Sequence, residues 1–205
     1  MNLSFLPNLI TIIRIILLVP LSYLLVHEEY TTALIIFVVA GASDALDGFL
    51  AKHFSWVSRF GAILDPLADK ALLVLTMAIL TYNGVISWLL LTVVFARDIS
   101  IVLGGYYYHY RLGPFEMQPS YLSKFNTFVQ ILLVSSYLIS LGYRQLPGLY
   151  IDTLVLLTYF TTVSSGIHYV WVWGGKFKQA ISDHKAELMD KHSSPKSSQD
   201  PAQDK

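Results

Sequence analysis

Asp44, Asp47, Asp65 and Asp69 stand inside or beside two long apolar runs, where carboxylates are costly. An ionised acid near a bilayer centre costs at least ~2.5–3.5 kcal/mol. Grouped acids also repel: like charges ~5 Å apart at an effective dielectric of ~20 oppose each other by roughly 3 kcal/mol per pair. Such a group calls for protons, basic partners or divalent cations, and metal ions answer best. Asp44 and Asp47 are three apart and Asp65 and Asp69 four apart, so each pair falls on one face of its own helix. Two adjacent antiparallel helices then aim all four at one place. Hard oxygen donors suit Mg²⁺ or Mn²⁺, and two divalent ions would balance the four charges. Oxygen-rich sites of this kind usually handle phosphates. Gly48, next to Asp47, and Gly61, four before Asp65, bare the same faces. Either a bulky ligand approaches the backbone there, or the helices pack closely.

The elements that must position these acids are membrane helices. The chain has 205 residues, 54% hydrophobic and 14% charged, with mean hydropathy +0.53, more apolar than a soluble domain of this size tolerates. Fourteen basic residues balance fourteen acidic ones, so net charge offers no footprint of a nucleic-acid partner, and none is expected. The absence of cysteine excludes disulfides and thiol chemistry. Apolar stretches begin near Leu9, Thr32, Gly61, Ile86, Phe125 and Tyr150. The expected fold is therefore all-α: a polytopic membrane protein with six transmembrane helices, preceded by a short interfacial segment that turns inward at Pro7. Residues 1–175 are expected to form the catalytic domain, and 176–205 a charged, largely disordered tail, with the disorder beyond Lys191. The first run, with Arg14 and Pro20 and no basic segment before it, reads as a retained helix rather than a signal peptide. Lys52, Arg59, Arg111, Lys124 and the tail lysines share one side if the N-terminus is inside, leaving Arg144 on the other. Both termini and the aspartates then face the cytoplasm. With no transit segment ahead of the first helix, a bacterial inner membrane is the expected location, although a trimmed organellar protein would read the same. Asp44 lies eight residues before Lys52 and Asp69 eight after Gly61, so both pairs sit at a matched depth of about 12 Å.

Residues 44–69 read D-A-L-D-G-F-L-A-K, eight residues, G, three residues, D, three residues, D. This resembles the signature of the CDP-alcohol phosphatidyltransferase family, D-x-x-D-G-x-x-A-R-x8-G-x3-D-x3-D, with every interval preserved. One position departs, since Lys52 replaces an arginine and loses its two-pronged grip on phosphate. The resemblance implies attack of a lipid hydroxyl on the β-phosphorus of CDP-diacylglycerol, with release of CMP. It implies Asp44, Asp47 and Asp65 as metal ligands, and Asp69 as ligand and general base. It also implies that Asp44, Gly48, Ala51, Lys52 and Gly61 line the cytidine diphosphate site. A homodimer is implied in the same way. Direct displacement needs no covalent intermediate, and the chain lacks the H-x-K-x4-D motif of phospholipase D-type enzymes.

The acceptor is encoded elsewhere. P-N-L-I-T-I-I-R at 7–14 resembles the opening of the phosphatidylglycerophosphate synthase and cardiolipin synthase branches, whereas P-L-S-Y-L-L-V-H-E-E-Y at 20–30, A-R-D at 96–98 and S-K-F-N-T-F-V-Q-I-L-L-V at 123–134 are most similar to the eukaryotic, mitochondrial-type cardiolipin synthases. Arg14, Arg97 and Lys124 are the candidate acceptor-phosphate cations. Each has a plainer reading: Arg97 as a neutralised pair with Asp98, Arg14 and Lys124 as side chains reaching for headgroups. Phosphatidylglycerol, glycerol 3-phosphate and inositol phosphate all carry a phosphate, so charge alone does not choose. The histidines show no ligand spacing, and Gly104-Gly105 reads as a close helix approach, with a dimer interface one option.

The expected function is phosphatidyl transfer from CDP-diacylglycerol to phosphatidylglycerol, giving cardiolipin and CMP. Its neighbour is CDP-diacylglycerol–glycerol-3-phosphate 3-phosphatidyltransferase activity. An ion-coupled transporter is the rival from another class, since intramembrane acids beside a deep arginine also suit an ion pathway. Transporters of that kind often carry internal repeats and broken helices, and this chain has neither. An inactive, lipid-binding family member is a third reading, opposed by the complete aspartate set.

Overall fold

The computed structural model describes the backbone of residues 6–54, 61–112 and 121–193, and side chains over 11–43, 70–104, 121–169 and 171. Six helices account for it: α1 (Leu6–Val26), α2 (Tyr30–Phe54), α3 (Gly61–Tyr82), α4 (Trp88–Leu112), α5 (Tyr121–Gly142) and α6 (Gly148–Ser193). Among the described residues there is no strand, and the helix starts fall within four residues of those expected. One detail differs. Pro7 belongs to the first turn of α1 rather than to a bend, because a proline there forfeits only an amide that has no helical partner anyway. α6 continues unbroken through Lys176 to Ser193, and residues 194–205 lie outside the described ones. Lys, Glu, Ala, Gln, Leu and Met dominate that extension, and Glu187 precedes Lys191 by four, the favourable order for a helical ion pair.

Short turns join three helix pairs. Glu28 closes α1 in the left-handed region at φ 62, with its amide donating to Leu25 and that of Glu29 to Leu24. Gly84, at φ 77, closes α3 in the same way, donating to Thr81 while Val85 donates to Leu80. Asn83 Nδ2 donates to the Leu25 carbonyl at 2.8 Å and to the Tyr30 hydroxyl at 3.3 Å, tying the α1–α2 and α3–α4 turns together. Thr31 Oγ1 donates to the Gly142 carbonyl, bringing the α5–α6 turn to the same end. The C-terminal half of α2 and the N-terminal half of α3, which carry the aspartates, therefore point to the opposite end.

The Thr31–Gly142 junction is tight enough to test. A methyl group on Gly142 would lie 2.6 Å from Thr31 N and 2.8 Å from Tyr30 C, backbone atoms that cannot swing aside. Gly142→Ala is expected to destabilise the protein by about 1–3 kcal/mol in thermal or denaturant unfolding. Gly41→Ala, which meets nothing within 4 Å, serves as the neutral or slightly stabilising control.

Packing sorts the helices by polarity along their length. At the turn end, Leu21, Leu25, Phe37, Leu73, Met77, Leu80, Leu90, Val94, Leu133 and Leu138 form one apolar cluster. Toward the aspartate end, the buried side chains become Thr11, Arg14, Arg97, Asp98, Asn126, Gln130, Thr158, Thr161, Thr162 and Ser165. Outside, the helices are apolar. On α6, Leu156, Phe160, Val163, Ile167 and Trp171 form an exposed stripe, while Thr158, Thr161, Thr162 and Ser165 face inward. That is the reverse of a water-facing amphipathic helix. Isolated hydroxyls elsewhere are satisfied within their own helices, as with Thr76 to Leu72 at 2.7 Å and Ser136 to Leu132 at 2.7 Å. Among the described residues, α5 is the helix long and apolar enough as a whole to cross a membrane; Thr11–Val26, Tyr30–Ser43 and Lys70–Tyr82 are shorter apolar segments.

Candidate active site

Two helices carry the acids. Asp44 and Asp47 lie in the C-terminal half of α2, Asp65 and Asp69 in the N-terminal half of α3, and α2 and α3 pack against each other. The backbone is helical at all four positions, so the three- and four-residue intervals keep each pair on one helical face. Their side chains, with those of Gly48, Ala51, Lys52 and Gly61, lie outside the described ones. Gly61 is the first residue of α3.

Directly after Asp69 comes Lys70, which starts a chain of polar contacts across four helices. Lys70 Nζ meets Asp98 Oδ2 of α4 at 2.6 Å, an ion pair without the angular alignment of a hydrogen bond. Asp98 Oδ1 accepts from Arg97 Nη1 at 2.7 Å. Arg97 Nη2 donates to Ser123 of α5 at 2.7 Å and to Ser165 of α6 at 2.6 Å. The Arg97 side chain is only 4% exposed, so these bonds form away from solvent, where charge-assisted contacts are strong. One helical turn along α5, Asn126 Oδ1 accepts from Thr161 at 2.8 Å and Thr162 at 2.9 Å.

The three predicted cations are divided by the fold. Arg14 is buried on α1, which packs on α2 and α3, the helices of the aspartates. Arg97 is buried on α4 and bonded to both α5 and α6. Lys124 is exposed, its ammonium 5.8 Å from the centre of the Tyr121 ring, while its neighbour Ser123 joins Arg97. The Arg97–Asp98 pair considered from the sequence does form, but Asp98 is shared with Lys70. Two cations on one carboxylate leave this cluster with a net charge of +1.

Lys70, Ser123, Asn126, Gln130 and Ser165 are not singled out by the sequence reading. Their signal was periodic: Ser123, Asn126 and Gln130 fall at i, i+3, i+7 on α5, and Thr158, Thr161, Thr162 and Ser165 at i, i+3, i+4, i+7 on α6. Polar residues at that spacing in apolar helices mark an inward face. Arg97 Nε, Asn126 Nδ2 and both amide atoms of Gln130 are buried without a hydrogen-bond partner among the described residues. Each such atom costs roughly 1–3 kcal/mol. Gly104 faces α6, where a methyl group would lie 3.7 Å from the Tyr169 ring, so its close approach is made within the chain.

Within an all-α bundle, the acids thus lie on two adjoining helices, and the polar cluster begins at the residue after Asp69. The chain belongs to the CDP-alcohol phosphatidyltransferase family, whose model matches residues 4–171 and so takes in all six helices down to the polar stripe of α6. It is 33% identical over 193 residues to the human cardiolipin synthase (CMP-forming), covering 86% of this chain and 64% of that protein. With the rat enzyme of the same name, identity is 34% over 191 residues, covering 85% of this chain and 63% of that protein. It is 30% identical over 165 residues to the CDP-diacylglycerol–glycerol-3-phosphate 3-phosphatidyltransferase of Cereibacter sphaeroides, covering 78% of this chain and 75% of that protein. The chain thus spans a little under two thirds of the mammalian relatives. Members of this family are membrane proteins, in keeping with the apolar exterior.

Proposed function

We propose that this chain transfers a phosphatidyl group from CDP-diacylglycerol to phosphatidylglycerol, releasing CMP and forming cardiolipin. The observation that carries this reading is the similarity to animal cardiolipin synthases along 86% of the chain, with the full aspartate signature held on two packed helices. In the proposed reaction, the acceptor hydroxyl oxygen bonds to the β-phosphorus of CDP-diacylglycerol while the bond from that phosphorus to the CMP oxygen breaks. CMP departs with the bonding electrons, and the hydroxyl proton passes to the Asp69 carboxylate.

Four carboxylates on two adjoining helices fit a pair of Mg²⁺ or Mn²⁺ ions, held by Asp44, Asp47, Asp65 and Asp69. When bound, such ions offset the charge of the diphosphate and of the leaving CMP. Gly48, Ala51, Lys52 and Gly61 line the cytidine diphosphate side in this reading. Arg14, Arg97 and Lys124 supply the positive field for the acceptor phosphate: Arg97 from within the +1 cluster, Lys124 from the exposed start of α5. All six helices span the bilayer as residues 1–175 of the catalytic domain, in a homodimer, with 176–205 as a polar extension. Loop lysines and arginines put both termini and the site on the positive-inside face, the cytoplasm in a bacterium.

Transfer to glycerol 3-phosphate is the second reading, favoured by the similarity to the Cereibacter enzyme. Purified protein supplied with CDP-diacylglycerol, Mg²⁺ or Mn²⁺, and each acceptor separately distinguishes them through CMP release and lipid product. Cardiolipin from phosphatidylglycerol is expected. Product from glycerol 3-phosphate alone would select the second reading, and no CMP with either would overturn both. Chelation by EDTA is expected to abolish CMP release and added Mg²⁺ or Mn²⁺ to restore it, while persistent activity in EDTA would remove the metal assignment.

A further inference from the structure

The aspartate-bearing helix has a tether to the opposite half of the bundle. Helix α3 packs chiefly on α1 and reaches α4 and α5 over short stretches. Among the described residues, the ion pair joining it to α4 is Lys70–Asp98 at 2.6 Å. Lys70 is bonded to Asp69 in sequence, so the tether acts on the helical turn that carries the proposed base. On the other side, Asp98 grips Arg97, and Arg97 is fastened to α5 through Ser123 and to α6 through Ser165. Neutralising Arg97 would require one carboxylate oxygen and no lysine. Here one oxygen holds Arg97 of the same helix while the other reaches Lys70 of α3, and Asp98, at 8% exposed, is packed where it cannot readily rotate away.

We infer that Asp98 is a positioning residue: by holding Lys70 and Arg97 at once, it sets the register of α3 against α4–α6, and so the distance from Asp69 to the acceptor. This rests on the phosphatidyl-transfer reading above. Asp98 touches neither reacting atom in that scheme. Its effect is on geometry, and small misplacements at a reacting centre reach about 10²-fold in rate.

The test uses full-length protein purified in detergent, with activity normalised to the folded, monodisperse fraction. Asp98→Asn and Lys70→Met are each expected to lower kcat by about 10- to 10²-fold, with KM for CDP-diacylglycerol changed less than about twofold. The double variant is expected to be no slower than the slower single one, because both remove the same link. Lys70→Arg, which keeps the charge, is expected to recover most of the rate. Additive losses, failure of Lys70→Arg to recover activity, or a raised donor KM at unchanged kcat would overturn the positioning role. Unmodified protein that releases no CMP with any acceptor would instead overturn the phosphatidyl-transfer reading, and this role with it.

Discussion

Asp69→Asn is expected to lower CMP release by about 10²- to 10⁴-fold, the range associated with loss of a general base. The substitution keeps the size of the side chain and its place on α3, but an amide takes up no proton at neutral pH and binds hard cations poorly. Folding is expected to survive, because removing one of four clustered negative charges relieves repulsion within an apolar bundle. The measurement is turnover with CDP-diacylglycerol and phosphatidylglycerol, paired with thermal unfolding of the same preparation. Unaltered turnover would remove Asp69 as the base. Lost turnover with an unfolded protein would point to a structural role.

The second large effect is on stability. Arg97→Met would leave Asp98 facing Lys70 alone and strip Ser123 and Ser165 of their shared donor. Breaking a buried, hydrogen-bonded charge pair from one side typically costs about 3–5 kcal/mol. Arg97→Met is expected to fall in that range by denaturant unfolding in detergent. Replacing both partners, as Arg97→Met with Asp98→Leu, is expected to cost less than Arg97→Met alone. No buried carboxylate is then left behind, and Lys70, with 39% of its side chain exposed, can turn to solvent. A double variant less stable than the single one would show that the pair contributes through shape rather than charge.

The two experiments separate what the polar half of the bundle does for catalysis from what it does for the fold. Its composition suggests both. An apolar plug of leucines, methionine and phenylalanine near the three turns supplies the non-specific part of helix association. The opposite half instead buries two arginines, an aspartate, an asparagine and a glutamine, and Asn126 Nδ2 and both Gln130 amide atoms have no hydrogen-bond partner among the described residues. Sites that accept such a cost are where function is usually placed. The Gly142–Thr31 junction and the Asn83 bridge, at the turn end, carry neither charge nor chemistry and hold the scaffold.

The aspartate intervals, the six helices and their turns were legible in the chain itself, because each depends on local rules. Helical spacing places Asp44 with Asp47 and Asp65 with Asp69 on single faces, and Gly84 ends the apolar run of α3. The same locality carries α6 past Lys176, because helix propensity persists after hydrophobicity ends. What depended on tertiary structure was partnership. Lys70 next to Asp69 reads as an ordinary helix charge until α4 brings Asp98 to it, and Ser165 gains meaning only when Arg97, 68 residues earlier, reaches it. Likewise, the sequence sets Arg97 apart by its neighbour Asp98 but gives Arg14 and Lys124 one reading, yet Arg14 is buried on a helix packed against the aspartate helices, Arg97 is bonded to two further helices, and Lys124 is exposed. Spacing along a helix is set by its own 3.6-residue period, whereas the partner of a buried charge is chosen by whichever helix packs against it.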